Sequence, residues 1–353
     1  MLDFRSDTVT QPTPAMMEAI ASARVGDDVF GDDPTTRQLE EEVADLLCKE
    51  SALFVTSGTL SNQLALRVHV GLLDEVLCDH RAHVHVWEVG GVHATGAAIA
   101  PTAPSVGEGF LTADAIEANC RRDHCLYHQP VTRLLCLENT LNGAVQPLAQ
   151  IEAATATARA LGLACHLDGA RLWNAVASSG HSAAAYAAHF DTVSVCLSKG
   201  LGAPIGSVLV GSAAHIERAR HFRKLLGGGW RQAGLLAAAG LHALHHHRER
   251  LLEDHEAASD LAEGLDALGF EVLRPETNMV WCAPPQATRD TFDRTVAALE
   301  HEAGILVGGA YAGPLGRNPW GAASMAMRFV THLQTPKATA VPTLLKALGR
   351  LLK

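Results

Sequence analysis

From about residue 34 to about residue 250, short apolar runs alternate with amphipathic helical stretches, and this alternation limits the available folds more than any other feature. A parallel strand is buried on both faces, so it reads as a continuous apolar run, and a helix usually returns the chain to the next strand. The runs ALFVTSG (52–58), EVLCD (75–79), RLLCLEN (133–139), LACHLDG (163–169), DTVSVCLSKG (191–200) and GSVLVG (206–211) have this character. Segments such as LAQIEAATATARAL (148–161) supply helices between them. The first clear helix has Asp33 as N-cap, Pro34 in its first turn, and Leu39, Val43, Leu46 and Leu47 on one face. A long helical stretch over 233–268 leads to FEVL, NMVWCAP, a helix near 289–303, ILVGG, SMAMRFVTHL and a last helix after Pro336. The fold class predicted is α/β: a large domain over 1–250 with a mainly parallel sheet sandwiched by helices, then a small C-terminal α+β domain over 251–353. A length of 353 residues suits two such domains, with one helix bridging them.

Composition excludes several function classes. Lys plus Arg number 28 against 38 Asp plus Glu, a net charge of −10, so no basic surface is expected for nucleic acid or anionic membrane. The opening MLDFRSDTVTQ lacks a secretory apolar core, and no later run is long and apolar enough to span a bilayer, which makes the cytoplasm the expected location. Cys136, Cys165 and Cys196 sit inside apolar runs and no CxxC occurs, so the cysteines read as reduced core residues and no metal site is assigned. His245, His246 and His247, in LHALHHHRERLLEDH, read as a solvated helix face.

Three strand ends carry chemistry. Ser198-Lys199-Gly200-Leu201-Gly202 places a lysine after an apolar strand and beside glycines that allow close backbone approach. A partly desolvated amine there suits a Schiff base, although alone a structural or anion-pairing lysine is the better reading. Leu167-Asp168-Gly169-Ala170-Arg171 puts an acid at the next strand end, where it could cap a helix or partner a pyridinium N–H. Thr56-Ser57-Gly58-Thr59 leaves a strand and opens a helix, a natural cradle for a phosphate and, by itself, merely a turn. In this chain order on an α/β scaffold, the three point together to pyridoxal 5'-phosphate, held covalently by Lys199.

With the motifs FRSDTVTQP, VGDDVFGDDPT, the SGT turn, the segment 83–91 ending EVGG, LENTLNG, HLDGARLWNA, CLSKGLGAPIGSVLVG, GGGWRQAG and RFVTHL, essentially the whole chain resembles the L-threonine aldolases, pyridoxal-phosphate enzymes of the aspartate-aminotransferase fold. The resemblance implies that Lys199 carries the cofactor, Asp168 faces the ring nitrogen, and Ser57, Gly58 and Thr59 hold the phosphate. It places Arg171 beside ring and substrate carboxylate, Ser6 and Arg328 at the other carboxylate positions, and His83 and His128 near the substrate hydroxyl. Glu88 stands where it could orient His83. Arg231 would reach a neighbouring subunit's phosphate, implying a homotetramer of active-site-sharing dimers. The implied reaction is reversible cleavage of β-hydroxy-α-amino acids such as threonine or allo-threonine to glycine and an aldehyde, with β-elimination or transamination as alternatives and a non-catalytic binding protein as the last of them. Phe30 and His85 replace tyrosines common in the family, and the Gly-, Pro- and Asn-rich segment 314–320 suggests an enlarged loop over the site.

Overall fold

The apolar runs of the first half become strands of one sheet. The computed structural model describes residues 1–104, 109–122, 127–309 and 326–352, so the segment 314–320 lies outside the described residues. In chain order the strands are β1 (Leu2–Asp3), β2 (Ser51–Val55), β3 (Asp74–Asp79), β4 (Ala98–Thr102), β5 (Val131–Glu138), β6 (Ala164–Gly169), β7 (Thr192–Cys196), β8 (Ser207–Gly211), β9 (Glu271–Leu273), β10 (Met279–Ala283), β11 (Ile305–Leu306) and β12 (Met327–Val330). The large sheet runs β2-β8-β7-β6-β5-β3-β4. Pairing is parallel from β7 through to β4, while β8 is antiparallel to both β7 and β2. The carboxyl ends of β2, β3, β5, β6 and β7 therefore share one edge, where open α/β sheets bind ligands. The edge strand β4 has no signature in the sequence: AIAPT contains a proline, tolerable only because its outer side needs no ladder partner.

Helices cover both faces of this sheet. Along β5, Leu135 and Leu137 enter the largest core while Leu134 and Cys136 enter a separate cluster on the other face. Ala52 and Phe54 of β2 divide from Leu53 and Val55 in the same way, as the two-residue period requires. Asp33 caps the helix Pro34–Leu46 by accepting the Thr36 N–H at 2.8 Å, and its other oxygen accepts the N–H groups of Gly26 and Gly234, each at 3.0 Å. A Cβ at Gly234 would collide with that carboxylate, so glycine is required there.

The second core gathers around the sheet β12-β10-β9 and includes Leu261, Leu265, Phe292, Leu344 and Leu348. Phe4 belongs to it as well. β1 pairs in parallel with β11, and the Val330 N–H donates to the Phe4 carbonyl at 2.9 Å, so the N-terminal segment threads between β11 and β12. The stretch 233–268 is two helices, Gly234–His246 and Leu251–Ala267, and not one. At the break, His247 is buried and its Nδ1–H donates to the Leu201 carbonyl at 2.7 Å. The solvated face expected for the three histidines thus holds for His245 and His246 but not for His247, because the backbone turns there and carries its ring inward.

Candidate active site

At the end of β2, Ser57 is extended and its hydroxyl accepts the Leu60 N–H at 3.1 Å, capping the helix Gly58–His69. The first-turn amides of Gly58 and Thr59 have no intrahelical acceptor and remain available to an anion. Gly58 has a steric reason too, since a Cβ there would lie 2.8 Å from Cys196 Sγ on β7. Lys199 follows β7, and its carbonyl is pinned by the Thr10 hydroxyl at 2.9 Å and the Gly202 N–H at 2.8 Å. Its amine makes no hydrogen bond or ion pair among the described residues. Asp168, buried at the end of β6, accepts from Asn62 Nδ2 at 2.7 Å and from the Ala170 N–H at 3.0 Å. A cavity of about 380 Å³ joins Lys199, Asp168, Ser57, Gly58, Thr59 and His83. An amine able to form a Schiff base, an acceptor for a ring N–H and an anion cradle in one cavity fit pyridoxal phosphate.

A second cavity of about 380 Å³ shares Thr8, His83 and Lys199 with the first and adds Ser6, Arg81, Glu138, Asn142, Arg171 and Arg328. Arg171 grips Asp7 with two parallel hydrogen bonds, Nε to Oδ2 at 2.9 Å and NH2 to Oδ1 at 2.6 Å. Burial opposes the charge on Asp7, but the guanidinium outweighs it and holds the carboxyl at about 2. Three donors of Arg171 remain for a substrate carboxylate. Arg328 donates to the Arg5 carbonyl at 3.2 Å and lies over the Trp281 ring. Glu138, at the end of β5, accepts the His83 backbone N–H at 2.7 Å. Burial, reinforced by Asp168, pushes its carboxyl up to about 7. His83 Nδ1 lies 2.9 Å from Glu88 Oε1, and since a carboxylate only accepts, Nδ1 carries the hydrogen and Nε2 is left basic. Burial lowers the pKa of His83, yet the hydrogen bond to Glu88 and the charges of Asp168 and Glu138 prevail and raise it. His83, Glu88 and Asp168 bring ligand-type atoms within 4.8 Å of one another, but amide donors of Asn62 and Gln63 already occupy the carboxylates.

Four residues singled out from the sequence, His128, Arg231, Phe30 and His85, lie apart from both cavities. His128 is exposed on the turn before β5, its ring against Tyr127. Arg231 is half exposed, paired with Asp27 at 2.9 Å and stacked over the exposed ring of Phe30. His85 is on the short helix His83–Val86 and lines neither cavity. Conversely, Asp7, Asn62 and Glu138 were not marked by the sequence as site residues. Asp7 and Glu138 lie inside the quoted FRSDTVTQP and LENTLNG motifs, Glu138 at a strand end, which was the available signal.

A family model described as beta-eliminating lyase matches residues 3–284. A probable low-specificity L-threonine aldolase of Arabidopsis thaliana is 42% identical over 313 residues, covering 87% of this chain and 88% of that protein. The low specificity L-threonine aldolase of Saccharomyces cerevisiae is 44% identical over 310 residues, covering 87% of this chain and 80% of that one. Among solved structures, the threonine aldolase of Leishmania major superposes with a TM-score of 0.82 over the whole of both chains at 21% identity, a likeness of fold. Family model, relatives and cavity chemistry agree: the chain belongs to the beta-eliminating lyase family, and within it to the low-specificity L-threonine aldolases, pyridoxal-phosphate enzymes of the aspartate-aminotransferase fold.

Proposed function

We propose that this enzyme cleaves the Cα–Cβ bond of threonine, allo-threonine and other β-hydroxy-α-amino acids to glycine and an aldehyde, reversibly. The observation that carries the reading is the pair of adjoining cavities that meet at Lys199 and His83, one suited to the cofactor and the other to an amino acid. When bound, pyridoxal phosphate supplies an electron-poor ring that accepts the electron pair of the breaking bond. Lys199 would hold it covalently, Asp168 its ring nitrogen, and Ser57, Gly58 and Thr59 its phosphate. The guanidinium groups of Arg171 and Arg328, with Ser6, grip the substrate carboxylate, which fixes the direction of the Cα–Cβ bond. His83 Nε2 takes the β-hydroxyl proton, and Glu88 holds the ring by Nδ1.

Arg231 and His128 enter the proposal through a second subunit. The cofactor cavity has no arginine among its described lining residues and Arg231 faces outward beside Phe30, which supports the reading that it serves a neighbour's phosphate. His128, exposed on its turn, is likewise read as reaching a substrate across a subunit boundary, in a homotetramer. The buried free cysteines favour a cytoplasmic location, and no helix among the described residues is long and apolar enough to cross a membrane. The test is an assay of both threonine diastereomers and β-phenylserine with aldehyde and glycine detection. 2-Oxobutanoate from threonine, or phenylpyruvate from β-phenylserine, with ammonia and no aldehyde would instead establish β-elimination. Mixing Lys199→Ala and Arg231→Ala subunits should restore activity that neither has alone, and no restoration would remove the shared site.

A further inference from the structure

Asp168 is not an isolated acid beneath the cofactor cavity. Its Oδ2 takes one hydrogen of the Asn62 amide at 2.7 Å, and the same NH2 group gives its other hydrogen to Glu88 Oε1 at 2.8 Å. Two carboxylates fix the orientation of the amide, because Oδ1 could not face them. Asn62 Oδ1 then faces His166 Nε2 at 3.1 Å and, being an acceptor, requires that Nε2 carry a hydrogen. Burial holds His166 at about 4 despite the attraction of Asp168, so the ring is neutral and Nδ1 is a bare acceptor. Both Thr192 oxygens lie beside it, the hydroxyl at 2.9 Å and the carbonyl at 3.1 Å, and only the hydroxyl can donate. With its hydrogen spent on His166, Thr192 Oγ1 accepts from His69 Nε2 at 2.9 Å. His69 is also kept neutral by burial, at about 3, with His166 and His215 adding to the effect, so it too is the Nε2–H form.

We propose that Asn62, His166, Thr192 and His69 are positioning residues, a one-way series of hydrogen-bond donors that terminates on Asp168 and Glu88, in which the Thr192 hydroxyl selects the His166 tautomer. Every hydrogen in the series points toward the site, so each bond polarises the next in the same sense. The vulnerable point is His166 Nδ1. Without the Thr192 hydroxyl it faces only a carbonyl, and the proton moves from Nε2 to Nδ1 to satisfy it. Nε2 then opposes Asn62 Oδ1 lone pair to lone pair, and the amide withdraws from Asp168. The effect on the cofactor rests on the reading of Asp168 given above, but the tautomers do not.

The test uses full-length protein with its cofactor, labelled with ¹⁵N in the histidine rings. His166 and His69 should both show the neutral Nε2–H signature between pH 6 and 9. Thr192→Val should convert His166 to Nδ1–H, move the pH midpoint of the cofactor's visible absorption band, and weaken pyridoxal phosphate binding at least about ten-fold. Thr192→Ser should restore all three. An Nδ1–H His166 in the unaltered protein overturns the proposal even if the valine variant does not fold. So does a Thr192→Val protein with an unmoved absorption band, or a Thr192→Ser protein that behaves like valine. A colourless protein with both histidines as Nε2–H would instead defeat the cofactor reading of Asp168 and leave the donor series standing.

Discussion

Single side chains decide the chemistry. Lys199→Ala should abolish a yellow chromophore that borohydride otherwise bleaches and fixes to the chain, a change visible by absorbance and mass. His83 is useful as a base only when Nε2 is unprotonated, and its pKa is raised above the ordinary 6.5, so kcat/KM should climb through a midpoint above that value. Glu88→Gln keeps an acceptor for Nδ1–H and removes the charge, so the midpoint of the pH profile should fall. Asp7 links pH to stability: its folded pKa, about 2, is below the unfolded value of 3.8. The contribution is complete above pH 4 and is lost as pH falls toward 2, roughly 2 kcal/mol in all. Asp7→Asn should remove that acid-range slope from urea unfolding curves. Lys199, Asp168 and Gly58 were legible because each stands where an apolar run stops, a position visible in one dimension. Asp7, Asn62 and Glu138 were not, because their significance is their partners: a guanidinium 164 positions away, two carboxylates on other elements, and the backbone amide that opens the short helix at His83.

At the scale of elements, the helix signals read well where a cap and a period coincide. Asp33 and Pro34 begin the helix Pro34–Leu46 as their types demand, and Asp33 additionally ties two distant glycine amides to that start. Asp33→Ala should therefore cost more than a simple cap, about 2 kcal/mol or above, measurable as a lowered urea midpoint. Gly58→Ala should leave the protein folded but weaken phosphate binding, since the helix start must back away from Cys196 to admit the methyl group. The division of 233–268 into two helices escaped sequence reasoning because residues 247–250 are ordinary helix formers. The break follows from the bond between His247 and Leu201, which sequence spacing does not contain. Edge strand β4 was missed for the complementary reason: half-buried residues and a proline carry no strong period.

For the whole molecule, the α/β layering, the smaller C-terminal α+β region and a shared ligand edge are what the alternating pattern prescribed, while the N-terminal residues cross into the core around β12-β10-β9. Acid lability is a property of this assembly. His166 and His255 are kept neutral by burial at about 4, below the unfolded 6.5, so their contribution is complete above pH 6.5 and declines as pH falls toward 4. Each should cost roughly 1 kcal/mol by pH 5.5 relative to pH 7.5, read from denaturation midpoints at the two values.

The strand threaded between β11 and β12 makes residues 2–5 the tether of the proposed substrate grip, for it delivers Asp7 to Arg171 and offers the Arg5 carbonyl to Arg328. A purification handle or protease nick beside Leu2 would be felt at the amino acid's carboxylate rather than at the coloured group. Deleting residues 2–5 should raise KM steeply in a preparation that stays yellow, so any added sequence is better placed after the last helix.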